Sequence, residues 1–339
     1  VNSLGHSPFL GACLIVKDEA ARLPACLASL RTVVDEIVVY DTGSTDGTPE
    51  IAMAAGARVV LGTWPGSFAA ARNHALDLSH ATWVIAVDAD EVVEADPMKL
   101  RELLRRSQEQ VYAVRIDNIV AEDRTCDFQH HHTRLFRRVG SRWVGVVHEV
   151  LADDAGRIRT PCGVDPALLS IVHHGYSSQE VVRAKGARNA LLVTEQVLAA
   201  AASPEPTSLD DLRPLLVHLI RSEEGSGRRR EAIAVARSLH ESLPVAHPGW
   251  EQVTDLLVQL SLSADRAAAA KPVLRRWRAH RPGSAWLDYL EAKILTATGD
   301  PVAARALFEG LPAHDLEDTV GVRVPAERVR QEHAGLARG

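Results

Sequence analysis

The stretch VIAVDADEVVEADP, residues 84–97, decides the fold. Its opening apolar residues read as a strand buried on both faces, and the strand runs out onto Asp88, Asp90 and Glu91. A buried carboxylate is costly unless it is paired or holds a metal, and the ends of strands are where open α/β sheets keep their ligands. A plain strand-to-helix turn accounts for Glu94, Asp96 and Pro97 as first-turn acids and an early proline. It does not account for Asp88, which continues the strand after Val87 with no Lys or Arg partner visible nearby. Two carboxylates at i and i+2 beyond a strand can converge on one divalent cation, and Mg²⁺ or Mn²⁺ held so usually keeps substrate phosphate among its ligands.

Working outward, apolar runs of strand length alternate with helical patterns. FLGACLIV (9–16), DEIVVYD (35–41), ARVVLGTW (57–64) and TWVIAVDAD (82–90) read as strands. Between them lie helical patterns at EAARLPACLASLRTV with Leu23, Leu27 and Leu30 on one face, at TPEIAMAAG (48–56) and at SFAAARNHALDLS (67–79). This rhythm predicts an α/β fold, a mostly parallel sheet with helices on both faces. After Leu104 the texture changes: VYAVRIDNIV (111–120), HHTRLFRR (131–138) and RWVGVVHEVL (142–151) read as further strands with antiparallel edges. The first domain is therefore expected over 8–178.

Residues 179–330 read as all-helical. Ala232, Ala236 and Leu239 recur as Ala270, Leu274 and Trp277, and again as Ala304, Phe308 and Leu311. A period near 34 residues built from helix pairs predicts a tetratricopeptide-like repeat array. Gly227 and Gly299 align between units, and the middle unit has Ser or Asp there. Residues 331–339 are expected to be a flexible tail. Trp286 and Tyr289 lie i,i+3 on one helix face and suggest an interface, hence a homodimer through residues 200–330.

Composition narrows the class. With 339 residues and a net charge of −6 the chain offers nothing to attract nucleic acid. No run of eighteen apolar residues suggests a membrane span, and the N-terminus lacks the basic start of a signal peptide. Four scattered cysteines without metal-ligand spacing fit a reducing cytoplasm, and Cys13 and Cys26 sit in apolar patterns as core residues. Abundant Ala and Arg fit a GC-rich bacterial genome.

DTGSTDGT (41–48) follows a strand and opens a helix, a turn able to hold a ligand against the helix N-terminus. It has neither GxGxxG nor GK[ST]. The order VKDEAARLPACLASL, DEIVVYDTGSTDGT, ARNHAL and VIAVDADE resembles the nucleotide-binding half of family 2 glycosyltransferases of the GT-A fold, over about residues 10–178. The resemblance implies that Val16, Lys17, Glu19 and Asp41 hold the nucleotide base and that Arg72 lies near base and diphosphate. It maps a D-x-D motif onto Asp88 and Asp90, with Asp90 the direct ligand of Mn²⁺ or Mg²⁺. RWVGVVHEVL and SIVHHGYS (170–177) resemble VHE and HYGY segments of a soluble branch of that family. They imply His173, in preference to His174, as third metal ligand, and Glu149 as the base. His148 is expected on the opposite strand face, Glu91 is the competing base, and His130, His131 and His132 are expected at the surface because alternating faces keep them apart. Arg142 and Trp143 form an RW pair with Val139 where a membrane polysaccharide synthase would carry Gln, so processive synthesis is not expected.

The function implied is inverting transfer of one sugar from a nucleoside-diphosphate sugar, UDP-linked by expectation, to a hydroxyl or thiol of a peptide, small molecule or glycolipid. Two rivals are nucleotidyl transfer, which needs an N-terminal Gly-rich phosphate loop that LIVKDEAARL lacks, and a non-catalytic repeat adaptor.

Overall fold

A computed structural model describes residues 7–119, 126–147, 149–174, 179–203, 207–319 and 323–336. The chain divides into two compact units, Val1–Ser177 and Ser178–Gly339. The first runs β1 (Leu10–Val16), α1 (Leu23–Leu30), β2 (Glu36–Asp41), α2 (Thr48–Ala54), β3 (Arg58–Leu61), α3 (Phe68–Leu78) and β4 (Trp83–Ala86). It continues through β5 (Glu91–Ala95), α4 (Pro97–Arg106), β6 (Val111–Ile119), β7 (Cys126–Arg137), β8 (Arg142–Val144), β9 (Val150–Ala152), β10 (Cys162–Gly163) and β11 (Leu169–His173).

The strand order is β3-β2-β1-β4-β7-β6-β11-β5, with β10 beside β6. The first four strands are parallel. β7 runs antiparallel to β4 and β6, and β11 lies parallel to β6 and antiparallel to β5. This is the mixed α/β sheet with helices that the alternation predicts. Period-two alternation sends Leu10, Ala12, Leu14 and Val16 to one face, where they pack with Leu23, Leu27 and Leu30 of α1 and Leu100 of α4. Cys13, Val38, Tyr40 and Val84 turn to the other face and meet Ala69, Ala71, Ala75 and Leu76 of α3. Both Cys13 and Cys26 are buried.

The deciding stretch departs from expectation in two places. β4 ends at Ala86, not at Asp90, and residues 87–90 turn so that the Glu91 N–H donates to the Asp88 carbonyl at 3.1 Å. Three acids in four positions cannot continue a strand that is buried on both faces. Glu94 then lies in β5 rather than in a helix, whereas Asp96 caps α4, its carboxylate accepting the Lys99 N–H at 3.1 Å with Pro97 next. RWVGVVHEVL likewise divides into the hairpin β8–β9, with Glu149 in the loop just before β9.

The second unit is helical: α5 (Gln179–Ala201), α6 (Leu209–Gly225), α7 (Arg229–Ser242), α8 (Trp250–Ser263), α9 (Ala267–His280), α10 (Ala285–Ala297), α11 (Pro301–Gly310) and α12 (Ala326–Gly335). α12 continues to Gly335 where a tail was expected. Each helix from α5 to α11 packs on the next in sequence, as a repeat array requires. Ala232, Ala236, Leu239, Ala270, Leu274, Trp277, Ala304 and Phe308 are buried. The turn opening each second helix is left-handed at the aligned positions, with φ of 86° at Gly227, 55° at Asp265 and 84° at Gly299. Only Asp265 carries a Cβ there, which the left-handed region disfavours. Asp265→Gly is expected to stabilise the unit by about 0.5 kcal/mol, a balance of relieved strain against glycine's extra unfolded freedom. A lower midpoint in thermal unfolding would contradict this.

The aromatic pair expected at an interface is core. Trp286 and Tyr289 are 8% and 3% exposed. The Trp286 indole N–H donates to Asp255 at 3.0 Å, and the Tyr289 hydroxyl donates to Glu332 at 3.2 Å. A second copy of the chain has no claim on these side chains, and the homodimer loses the observation that suggested it.

Candidate active site

The order β3-β2-β1-β4 reverses direction between β1 and β4, and such a switch point opens a crevice at the carboxyl ends of the strands. Three loops meet that edge: 17–20 after β1, 42–47 after β2 and 87–90 after β4. The first two are stitched together. Asp18, at φ 54°, accepts the Thr45 N–H at 2.7 Å, and its own N–H donates to the Ser44 hydroxyl at 2.8 Å. The Glu19 N–H donates to the Thr48 hydroxyl at 2.8 Å, and the Ala20 N–H donates to Asp46 at 3.1 Å.

Asp41 ends β2 opposite Val16. Its Oδ1 accepts the N–H groups of Gly43 and Ser44 at 2.9 and 2.8 Å. Its Oδ2 is buried with no hydrogen-bond partner among the described residues. Val16 is buried, Glu19 half-buried and Lys17 exposed, so the residues assigned to the base lie on adjoining loops.

Behind the third loop lies a buried charge network. Arg72, on α3, was expected beside base and diphosphate. It is 7% exposed, with its Nη2 donating to Asp88 at 2.8 Å, its Nε donating to Glu149, and its guanidinium over the Trp143 ring. Arg134, on β7, donates to Asp88 at 3.0 Å and to Glu91 at 2.7 Å. Asp88 therefore has two arginine partners, contrary to the expectation of none. Partial desolvation pushes the Asp88 carboxyl up, and Arg72 and Arg134 outweigh it, holding the group well below the usual carboxylate range. Burial pushes Glu91 up to about 7 against the pull of Arg134. Glu91 is also turned inward, accepting the Asp88 N–H at 2.8 Å. Removing Arg134 leaves buried carboxylates underpaired, so Arg134→Leu is expected to cost about 3–5 kcal/mol in urea denaturation. A loss under 1 kcal/mol would show that the network relaxes without it.

The metal candidates separate. Asp90 is 7% exposed, and its Oδ2 lies 3.5 Å from Nε2 of His173. Asp88 is committed to the arginines, and among the described residues no group of three or more His, Cys, Asp or Glu side chains converges to hold a metal ion. His174 is exposed, and only its backbone N–H meets Asp90, at the carbonyl. A carboxylate and an imidazole make a two-donor set that suits Mn²⁺ or Mg²⁺ when diphosphate oxygens complete the shell. His148 lies outside the described residues.

The histidine run needs correcting. His130, His132 and Arg134 share one face of β7, and only His131 points outward as an exposed residue. Burial lowers both His130 and His132 to about 4. His130 Nδ1 lies 3.0 Å from Asn118 Nδ2, and Asn118 Oδ1 lies 2.9 Å from His173 Nδ1. The polar period along HHHTR was the signal that a sequence reading could have used to find this face.

Residues 12–161 match the family model "Glycosyl transferase family 2", and residues 261–320 match a tetratricopeptide repeat. Over those residues the chain is similar to family 2 glycosyltransferases and to tetratricopeptide repeats, respectively. Among its relatives is a TPR repeat-containing protein of Synechococcus elongatus, 49% identical over 90 residues, which are 24% of this chain and 22% of that protein. Glycosyltransferase SunS of the SPbeta prophage of Bacillus subtilis is 25% identical over 214 residues, 59% of this chain and 47% of its own. Among solved structures, S. aureus TarS is similar at 13% identity and a TM-score of 0.41, over 76% of this chain and 53% of TarS. The chain thus spans less than half the length of the two curated relatives. No described helix is long and apolar enough to cross a membrane.

Proposed function

We propose that the chain moves a single sugar from a UDP-sugar to a hydroxyl or thiol acceptor, with inversion, using Mn²⁺ or Mg²⁺. The observation that carries this is Asp41: a 2% exposed carboxylate at the carboxyl end of β2, with one oxygen fixed by two backbone N–H groups and the other buried without a donor among the described residues. The imide N–H of a uracil would satisfy that oxygen, with Val16 packing on the ring and Lys17 and Glu19 at the rim. A buried acceptor left unmade is costly, so a base that fills it is held in register along the crevice.

Asp90 and His173 would hold the cation, which when bound offsets negative charge on the diphosphate. Asp88 acts at one remove. Through Arg72 it ties the 87–90 turn to Glu149, so the group that takes the acceptor's proton and the group that holds the metal sit on one braced frame. Glu149 as a carboxylate can accept that proton on the face opposite the departing diphosphate, which is what inversion requires. The acceptor, whether a peptide, a small molecule or a glycolipid, would enter beside the β8–β9 hairpin.

Calorimetry with UDP-, GDP- and dTDP-sugars, with and without Mn²⁺, tests the donor reading. Asp41→Asn places an amide donor against the base's own donor and is expected to weaken UDP binding about 10–100-fold, the worth of one hydrogen bond to a charged group. Unchanged affinity in that variant would remove Asp41 from base recognition.

A further inference from the structure

Asn118 is 1% exposed on β6, between two imidazoles that belong to different strands. His173 of β11 is its direct neighbour in the parallel pairing with β6. His130 stands opposite Ile116, one diagonal step away on the same face of the sheet. An amide offers an acceptor at one end and donors at the other. Its contacts with the two rings, 2.9 Å from Oδ1 to His173 Nδ1 and 3.0 Å from Nδ2 to His130 Nδ1, therefore ask opposite things of them. His173 must carry its proton on Nδ1, and His130 must accept at Nδ1. In the neutral ring the lone pair of His173 Nε2 then faces Asp90 Oδ2, the two atoms being 3.5 Å apart. Two acceptors that face one another at this distance are relieved by a cation shared between them.

We propose that Asn118 is a positioning residue that fixes His173 in the tautomer able to bind a divalent cation, with His130 anchoring the amide from behind. The inference rests on the reading of Asp90 and His173 as metal ligands. Groups that orient a ligating imidazole through its other nitrogen typically contribute 10–100-fold in metal affinity.

The test is Mn²⁺ binding to the full chain in the presence of UDP, measured by calorimetry without turnover. Asn118→Leu removes both contacts at similar volume and is expected to weaken Mn²⁺ about 10–100-fold while UDP binding without metal holds. Asn118→Asp keeps an acceptor for His173 and should stay close to wild type. Because Asn118 acts through His173, Asn118→Leu combined with His173→Ala should bind no more weakly than His173→Ala alone. If His173→Ala weakens Mn²⁺ and Asn118→Leu does not, the positioning role is overturned and the metal reading stands. If His173→Ala binds Mn²⁺ as wild type does, or wild type shows no Mn²⁺-dependent UDP binding, the metal reading falls and this inference with it. Should Asn118→Leu not fold, ¹⁵N spectra of the wild-type chain, with the His173 signals assigned by His173→Gln, decide the matter. They should show His173 protonated on Nδ1 alone; protonation on Nε2 overturns the proposal.

Discussion

Glu149→Gln is expected to lower kcat by about 10²–10⁴-fold, because the amide keeps the shape of the side chain and cannot take a proton. The structure adds a second effect. Glu149 is buried and accepts from Arg72 Nε, so the neutral amide leaves Arg72 balanced by Asp88 alone. Removing one member of a buried ion pair is destabilising, and the unfolding midpoint should fall as well. Donor affinity separates the roles. If kcat falls and UDP-sugar binding holds, the residue serves the acceptor. Equal losses in both would mean that Glu149 serves as a brace for Arg72 and Asp88, and that the base lies elsewhere.

Asp90→Ala is expected to reduce transfer by about 10³-fold or more, the scale of losing a preorganised charge stabiliser. It should also weaken UDP in the presence of Mn²⁺ while leaving metal-free UDP binding intact. The fold should survive, since Asp90 is tied to the sheet through its backbone carbonyl, which accepts the His174 N–H at 2.9 Å. Glu94→Ala, an exposed change on β5, is the control and should do almost nothing. An Asp90→Ala protein with half its turnover would dismiss the site.

Much of the architecture was legible because the strand and helix patterns are clean here. LGACLIV is an apolar run of strand length that feeds both cores, and the Leu23, Leu27 and Leu30 stripe names the buried face of α1. The site was less legible because its decisive contacts are non-local. Arg134 meets Asp88 from 46 positions away, and no window of sequence holds both. The histidines of β7 read as surface because alternation keeps three consecutive side chains from converging; it also puts His130 and His132 on one face with Arg134, and that face lines the candidate site. Trp286 and Tyr289 failed as interface residues for a related reason. Each polar tip found a partner within the helical unit, Asp255 for the indole and Glu332 for the phenol, and a satisfied tip lets an aromatic ring be buried.

The antiparallel ladder between β5 and β11 sets His173 opposite Glu91, beside Asp90. These strands are among the most distant partners in the first unit, and β11 lies past residue 161, where the family match stops. Pairings that close long loops form late, since their entropy must be met before any contact rewards it. The Asp90–His173 pair can therefore form only once β11 has closed onto β5. On the proposed reading, a chain that stopped before β11 would still carry the loops assigned to the base, yet would lack His173 for the cation. Because side chains alternate along a strand, slipping that ladder by one position would turn His173 to the opposite face. On the proposed reading, the ability to hold cation and donor together waits on that one long-range pairing.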